Sequence, residues 1–219
     1  MKFDWNRVLE VLQENKTTLN VKSLLLQHLK LVSISLAIAI LIALPIGIIL
    51  TRPKYRQHVP KIMGVLNITQ GIPSLAIVAI FLPIMGIGTL PSIVALSLYA
   101  LLPVVRNTIA GLEAIDSSIV EAARGMGMPP LKVLWEIELP LAAPILISGI
   151  QTAAVVTVGT ATIADLIGGG GLGRLIFTGL SFFEPELIFL GSTLAAIIAI
   201  IFDQLFSIVN KLLSTPNME

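Results

Sequence analysis

An all-α, polytopic membrane bundle is the fold class this sequence predicts, and three observations carry it. Mean hydropathy is +0.94, with 55% hydrophobic and only 12% charged residues, where a soluble domain carries about 25% charged residues. Residues 31–50, 62–105 and 141–164 hold no Asp, Glu, Lys or Arg. Nothing alternates with the period of two that barrel strands need, so helices are left as the way to satisfy backbone groups in lipid.

These uncharged runs, together with a further apolar run at 187–209, resolve into five spans of about 20 residues each. They are expected at 29–50, 62–82, 90–109, 141–164 and 187–209, the last interrupted by Asp203 and Gln204. Pro83, Gly86, Gly88 and Pro91 mark the turn between the second and third. The organisation expected is an N-terminal polar or amphipathic segment at 1–28, a transmembrane domain at 29–210 and a tail at 211–219. The first apolar run is too long for the h-region of a signal peptide, so it reads as a retained span.

Lys and Arg in short loops orient the bundle. Arg52, Lys54, Arg56 and Lys61 fall in the first loop, and Arg106, Arg124 and Lys132 in the third. The second loop has none and the fourth only Arg174. Loops one and three are therefore expected in the cytoplasm, with the N-terminus outside and the C-terminus inside. Lys2, Arg7, Lys16, Lys22 and Lys30 run against an exported N-terminus, and Asp4, Glu10 and Glu14 offset them only in part. Two readings fit residues 3–14: an amphipathic helix at the membrane interface, using Phe3, Trp5, Val8, Leu9, Val11 and Leu12, or a polar tail.

Within the third loop, 106–140, the stretch 113–140 is a charged, helix-patterned island between apolar blocks. Ser118 and Glu121 have capping-box spacing, which predicts a helix start with each side chain bonded to the other's backbone N–H. Ala122 and Ala123 give a smooth helical face. Gly127 suits a left-handed C-cap. Pro129 and Pro130 suit the start of a second helix at 131–138, with Leu131, Leu134 and Trp135 on one face, and Pro140 and Pro144 lead into the fourth span.

Glu121-Ala122-Ala123, Gly127, Ile137, Leu139 and Pro140 resemble, at every fixed position, the EAA loop of bacterial ABC-importer permeases. Gly71-Ile-Pro-Ser-Leu-Ala76, Tyr99 through Thr108, Gly111-Leu112 and Ile167 through Gly173 extend the resemblance to the osmoprotectant subfamily. The resemblance implies a type I ABC-importer permease fold with five core helices in the bacterial plasma membrane. It implies a cargo of glycine betaine, carnitine, choline or related quaternary amines. It also implies ABC ATPase subunits docked on Ser118, Glu121, Ala122, Ala123, Gly127, Ile137, Leu139 and Pro140. A second permease subunit, identical or related, and an extracytoplasmic binding protein complete the expected partners, with lipid around them. No cofactor and no catalytic residue are expected in this chain. Methionine or phosphonate is the alternative cargo.

Asn67, Thr69, Gln70, Gly71 and Pro73 are polar or helix-breaking at mid-span. With Tyr99 they are the candidate translocation path, facing either the path or a partner permease, with hydrogen bonding inside the bundle as the alternative. The run Gly168–Gly173 lacks a Walker lysine and a Rossmann context; it reads as an external loop turning against the pore mouth or as a flexible turn. Asp165 and Asp203 could line a cation path or sit at helix ends. His28 and His58 have no ligand-spaced partners, so no metal site is expected, and a net charge of +1 gives no footprint for nucleic acid. Trp5 and Trp135 fall outside the expected spans, leaving Tyr99 as the one span tyrosine. Without an aromatic cage, tight recognition of a quaternary amine falls to the external binding protein. A secondary transporter would need a repeat that five spans do not display, and an intramembrane enzyme would need a nucleophile–base or metal-ligand set.

Overall fold

The computed structural model describes residues 3–13 and 19–213. Among them the chain is helical throughout, with no strand. The elements are α1 (Trp5–Gln13), α2 (Val21–Leu50), α3 (Val59–Gly71), α4 (Ser74–Met85), α5 (Thr89–Glu113), α6 (Ser117–Gly125), α7 (Pro130–Val133), α8 (Leu139–Ala161), α9 (Gly173–Phe182) and α10 (Pro185–Leu213).

Four helical runs are long and apolar enough to cross a membrane: α2, α5, the run Pro130–Ala161 and α10. A fifth candidate consists of two pieces, Arg56–Gly71 and Ser74–Met85, which are long and apolar enough together but bent by 96°. The first span starts at Val21 rather than near 29, because the Asn20 side chain caps it by accepting from the Ser23 N–H at 3.1 Å.

α5 is the central post, packed between α2 and α8. Lipid gives no hydrophobic drive for helices to associate, so close approach must do the work, and small residues allow it. Ala39, Ala43, Ala100, Ala153 and Ala154 are fully buried in this seam. A Cβ at Gly47 would lie 2.6 Å from the Thr108 side chain, and one at Gly149 would lie 2.5 Å from the Asn107 Cβ. A second cluster, with Leu31, Val32, Leu96, Val158, Leu172 and Leu175, fills the other end of the bundle.

The span expected at 62–82 is broken at Ile72-Pro73. A residue before proline is driven out of the α region, and Ile72 is extended at φ −80° and ψ 131°. Pro73 then opens α4, whose first turn bonds back to it: Ala76 N–H donates to the Pro73 carbonyl at 2.8 Å. The carbonyl of Ile72 is freed by the break and accepts the Tyr99 hydroxyl from α5.

The bent pair joins the two ends of the bundle. At one end Arg56 pairs with Glu113 at 3.1 Å. At the other the Gly88 N–H donates to the Ile167 carbonyl at 2.7 Å. α1 folds over that second end, with the Asp4 N–H on Glu186 at 2.8 Å and Arg7 against Glu184 at 3.5 Å. Val8 and Val11 are buried, while Phe3 and Trp5 stack edge-on with Phe189. Of the two readings for 3–14, the helix is the one formed; Glu14 lies outside the described residues, as does the tail from 214.

Candidate functional site

α6 and its flanks project from the Arg56–Glu113 end. The cap differs from the expected box. α6 begins at Ser117, and Asp116 caps it, accepting from the Ser118 N–H at 2.9 Å. Bonds from the backbone and hydroxyl of Ser118 hold the Asp116 carboxyl below the ordinary carboxylate range. The cap is therefore charged at neutral pH and is lost only as pH falls through that lowered value. Asp is as good an N-cap as Ser, and it stands first.

The C-terminus of α6 is a Schellman motif. The Met128 N–H donates to the Ala123 carbonyl at 3.2 Å and the Gly127 N–H to the Arg124 carbonyl at 2.9 Å. Gly127 has φ +82° and open space around it, so a side chain there meets backbone strain and no clash.

Ala122 and Ala123 do not share a face. Ala123 is buried, at 2% exposure, while Ala122 is exposed. Ser118 and Glu121 are exposed, as are the apolar side chains of Ile119, Met126 and Leu131, the last two above 70%. These three apolar side chains stand exposed at the loop end of the bundle.

The expected second loop helix does not stop at 138. α7 passes through a π-helical turn at Leu134–Glu138 into α8, making one run from Pro130 to Ala161. The Leu139 N–H reaches back to the Leu134 carbonyl, and Pro140 has no N–H for the regular ladder. Trp135 thus lies on the fourth span's own helix, at its loop end and 68% exposed. Ile137 and Leu139 are half-buried and Pro140 is exposed.

The π-turn aims Glu138 inward. It is 6% exposed and takes both arms of Arg52, at 3.0 and 2.5 Å. This bidentate pair ties the end of α2 to the base of the loop. Beside it Arg52, Arg56, Glu113, Glu121, Arg124 and Glu138 line a cleft of about 270 Å³. Sequence reasoning missed Glu138; its one signal is a carboxylate in the apolar setting of Ile137 and Leu139.

The polar set at the bend is brought together only in part. Asn67, Gln70, Gly71 and Pro73 are exposed, and no atom lies within 4 Å of a Cβ built on Gly71 or on Gly64, one turn before Asn67. Thr69 is turned back on its own helix, donating to the Leu66 carbonyl at 2.7 Å. Tyr99 is 8% exposed and holds the break. Asn67 accepts from Arg106 of α5 at 2.8 Å.

The other singled-out groups are structural. Asp165 pairs with Arg174 at 3.0 Å, and Asp203 accepts from Gln151 at 2.6 Å. The glycine run is wedged: a Cβ at Gly169 would lie 2.3 Å from Ser92 Oγ and one at Gly171 3.1 Å from the fully buried His28. This tight packing, with φ between +77° and +88° at Gly168, Gly170 and Gly171, excludes a loose turn. No group of three metal-ligating side chains occurs among the described residues.

A bundle of membrane-length helices with a capped loop on one end and a broken polar pair has the build of a multi-pass membrane protein. The chain belongs to the family described as binding-protein-dependent transport system inner membrane component, whose profile matches residues 43–215. It is 38% identical to the choline transport system permease protein OpuBB of Bacillus subtilis over 98% of this chain and 97% of that one. It is 37% identical to the glycine betaine/carnitine/choline transport system permease protein OpuCB of the same organism, with the same coverage. A chain from the structure of the MetNI methionine ABC transporter in inward-facing conformations superposes with a TM-score of 0.81 at 21% identity, covering 89% of this chain and 96% of that one, a likeness of fold. The chain is thus an ABC-importer permease subunit of the bacterial inner membrane.

Proposed function

We propose that this subunit forms half of the translocation path of an ATP-driven importer of quaternary-amine osmoprotectants: glycine betaine, carnitine or choline. Whole-chain similarity to the choline and glycine betaine/carnitine/choline permeases is the observation that carries the cargo class. An ATPase subunit docks on α6 and hydrolyses the ATP. The exposed face of Ile119, Ala122 and Met126, with its apolar side chains, supports this. A second permease subunit faces α3 across the path, and an extracytoplasmic binding protein delivers the cargo.

The N-terminus lies outside and the C-terminus inside. The Lys/Arg bias of loops one and three supports this, as does their meeting at one end through Arg52–Glu138 and Arg56–Glu113. ATP favours the closed ATPase dimer, and that differential binding biases the permease between inward-open and outward-open states. Ser118, Glu121 and Ala122 receive the push. Gly127 fixes where α6 ends, and Ile137, Leu139 and Pro140 carry the motion into α8. Asn67, Gln70, Gly71 and Pro73 line the path.

The test is uptake into proteoliposomes holding the permease, its ATPase and its binding protein, with a panel of labelled solutes. ATP-dependent uptake of at least one quaternary amine, and none of methionine or a phosphonate, is expected. Uptake of methionine alone would overturn the cargo class, and uptake without an ATPase would overturn the mechanism.

A further inference from the structure

Arg106 is a charged side chain in a segment that otherwise excludes charge. It stands on α5 seven residues before Glu113, about 10 Å inward along the helix at 1.5 Å per residue. Glu113 is the group paired with Arg56 at the end of the bundle. A guanidinium at such depth is costly unless it meets an acidic partner or a polar cavity. Among the described residues no carboxylate pairs with Arg106; its polar partner is the Asn67 carboxamide oxygen, at 2.8 Å. Two other arginines at that end do have carboxylate partners: Arg52 has Glu138 and Arg56 has Glu113.

The chemistry of the pair is one-sided. Arg has five N–H donors and no acceptor. Its bond to Asn67 uses one donor and occupies the carboxamide oxygen, which leaves the Asn67 NH2 group to donate as well. Arg106 and Asn67 are both exposed, on the side of α3 where Gly64 and Gly71 leave open space. The surface offered is a cluster of N–H donors carrying one positive charge. Such a cluster accepts a carboxylate and repels a quaternary ammonium.

We infer that Arg106 and Asn67 read the carboxylate of a zwitterionic cargo on the path, so that this permease favours glycine betaine or carnitine over choline. The inference rests on the proposed role of α3 as a path wall. The guanidinium draws the carboxylate toward the inner third of the path and leaves the ammonium end toward the bend. Choline has no carboxylate and meets only the repulsion.

The experiment measures initial uptake by the full complex, with one and the same binding protein, for wild type and for R106Q, R106K and N67D. Each rate is divided by the wild-type rate for that solute, which cancels the preference of the binding protein. R106Q is expected to lower glycine betaine and carnitine uptake about tenfold while changing choline less than about twofold, the scale of one charge-assisted contact. R106K, which keeps the charge, is expected to hold betaine uptake within about threefold. N67D places a carboxylate against Arg106 and occupies its fork, so it is expected to lower betaine selectively even if R106Q fails to assemble. An equal fall for all three solutes in R106Q and N67D would make the pair structural, or an anchor to lipid headgroups, and overturn the inference. So would no change in any. A wild-type complex that imports none of the three would instead overturn the proposed cargo class, and the inference with it.

Discussion

The loop around α6 and the bend between α3 and α4 both interrupt helix, but they are held in different ways. α6 is closed by groups within a dozen residues of one another: Asp116 on Ser118 at its start, Ala123 and Arg124 carbonyls on Met128 and Gly127 at its end. The bend at Ile72-Pro73 starts from a local cause, the proline, yet its freed carbonyl is met by Tyr99, 27 residues away on another helix. A self-contained element can move as a unit when a partner pushes it. A bend that depends on α5 shifts only when its neighbours do. That contrast suits a part that receives motion and a part that answers it.

The largest expected effect strikes what both regions share. Gly149→Val drives a side chain into Asn107 and to within 3.0 Å of the Pro103 carbonyl on α5. Overpacking of this kind is expected to cost about 3 kcal/mol. The melting midpoint of the purified subunit in detergent should fall, and hydrogen exchange should rise in α6 and in α3 alike. If only one of the two regions loosened, α5 would not be their common support.

Next comes the tie between loop and bundle. Glu138→Gln removes the charge that holds both arms of Arg52 and should cost roughly 1.5–3 kcal/mol. The ATPase is expected to remain bound, with its hydrolysis no longer matched by uptake. Loss of ATPase binding would mean that Glu138 shapes the docking surface itself.

Tyr99→Phe separates the bend from the loop. It leaves the Ile72 carbonyl without its hydroxyl donor, at about 1–2 kcal/mol. Faster exchange is expected at residues 72–76, with residues 117–128 unchanged. A matching change in the loop would contradict the independence of the two.

The smallest effect sharpens the loop alone. Gly127→Ala meets only the left-handed conformation and should cost about 1 kcal/mol. Gly125→Ala, two residues earlier inside the helix with open space around it, should instead gain about 0.5 kcal/mol. Circular dichroism melts of the two variants check the opposite signs. Equal costs would mean that crowding, rather than φ, governs both sites.

What the sequence made legible follows the same division. The spans were readable because lipid imposes charge-free runs, and Gly127 because only a glycine is comfortable at a positive φ. The cap was misassigned because Asp116 and Ser118 are both strong N-caps two residues apart, and spacing cannot say which is used. Ala122 and Ala123 look alike in sequence, but packing turns one in and one out. The π-turn depends on where Glu138 finds Arg52, 86 positions away. The break of the second span was hinted at by Pro73, while its 96° angle depends on Tyr99 and the α5 surface. Arg106 reads as a loop charge until α5 is seen to carry it inside.

The central claim is that the α6 end of the bundle, and not the opposite end, meets the ATPase. The chain has no cysteine, so a single introduced thiol reports cleanly. Met126 is 76% exposed beside α6, and Ile84 is 75% exposed near the other end, in the last turn of α4. With a short bifunctional thiol–amine reagent on the assembled complex, Met126→Cys should give a permease–ATPase adduct and Ile84→Cys should give none. An adduct from Ile84→Cys, or none from Met126→Cys in a complex that still transports, would contradict the account.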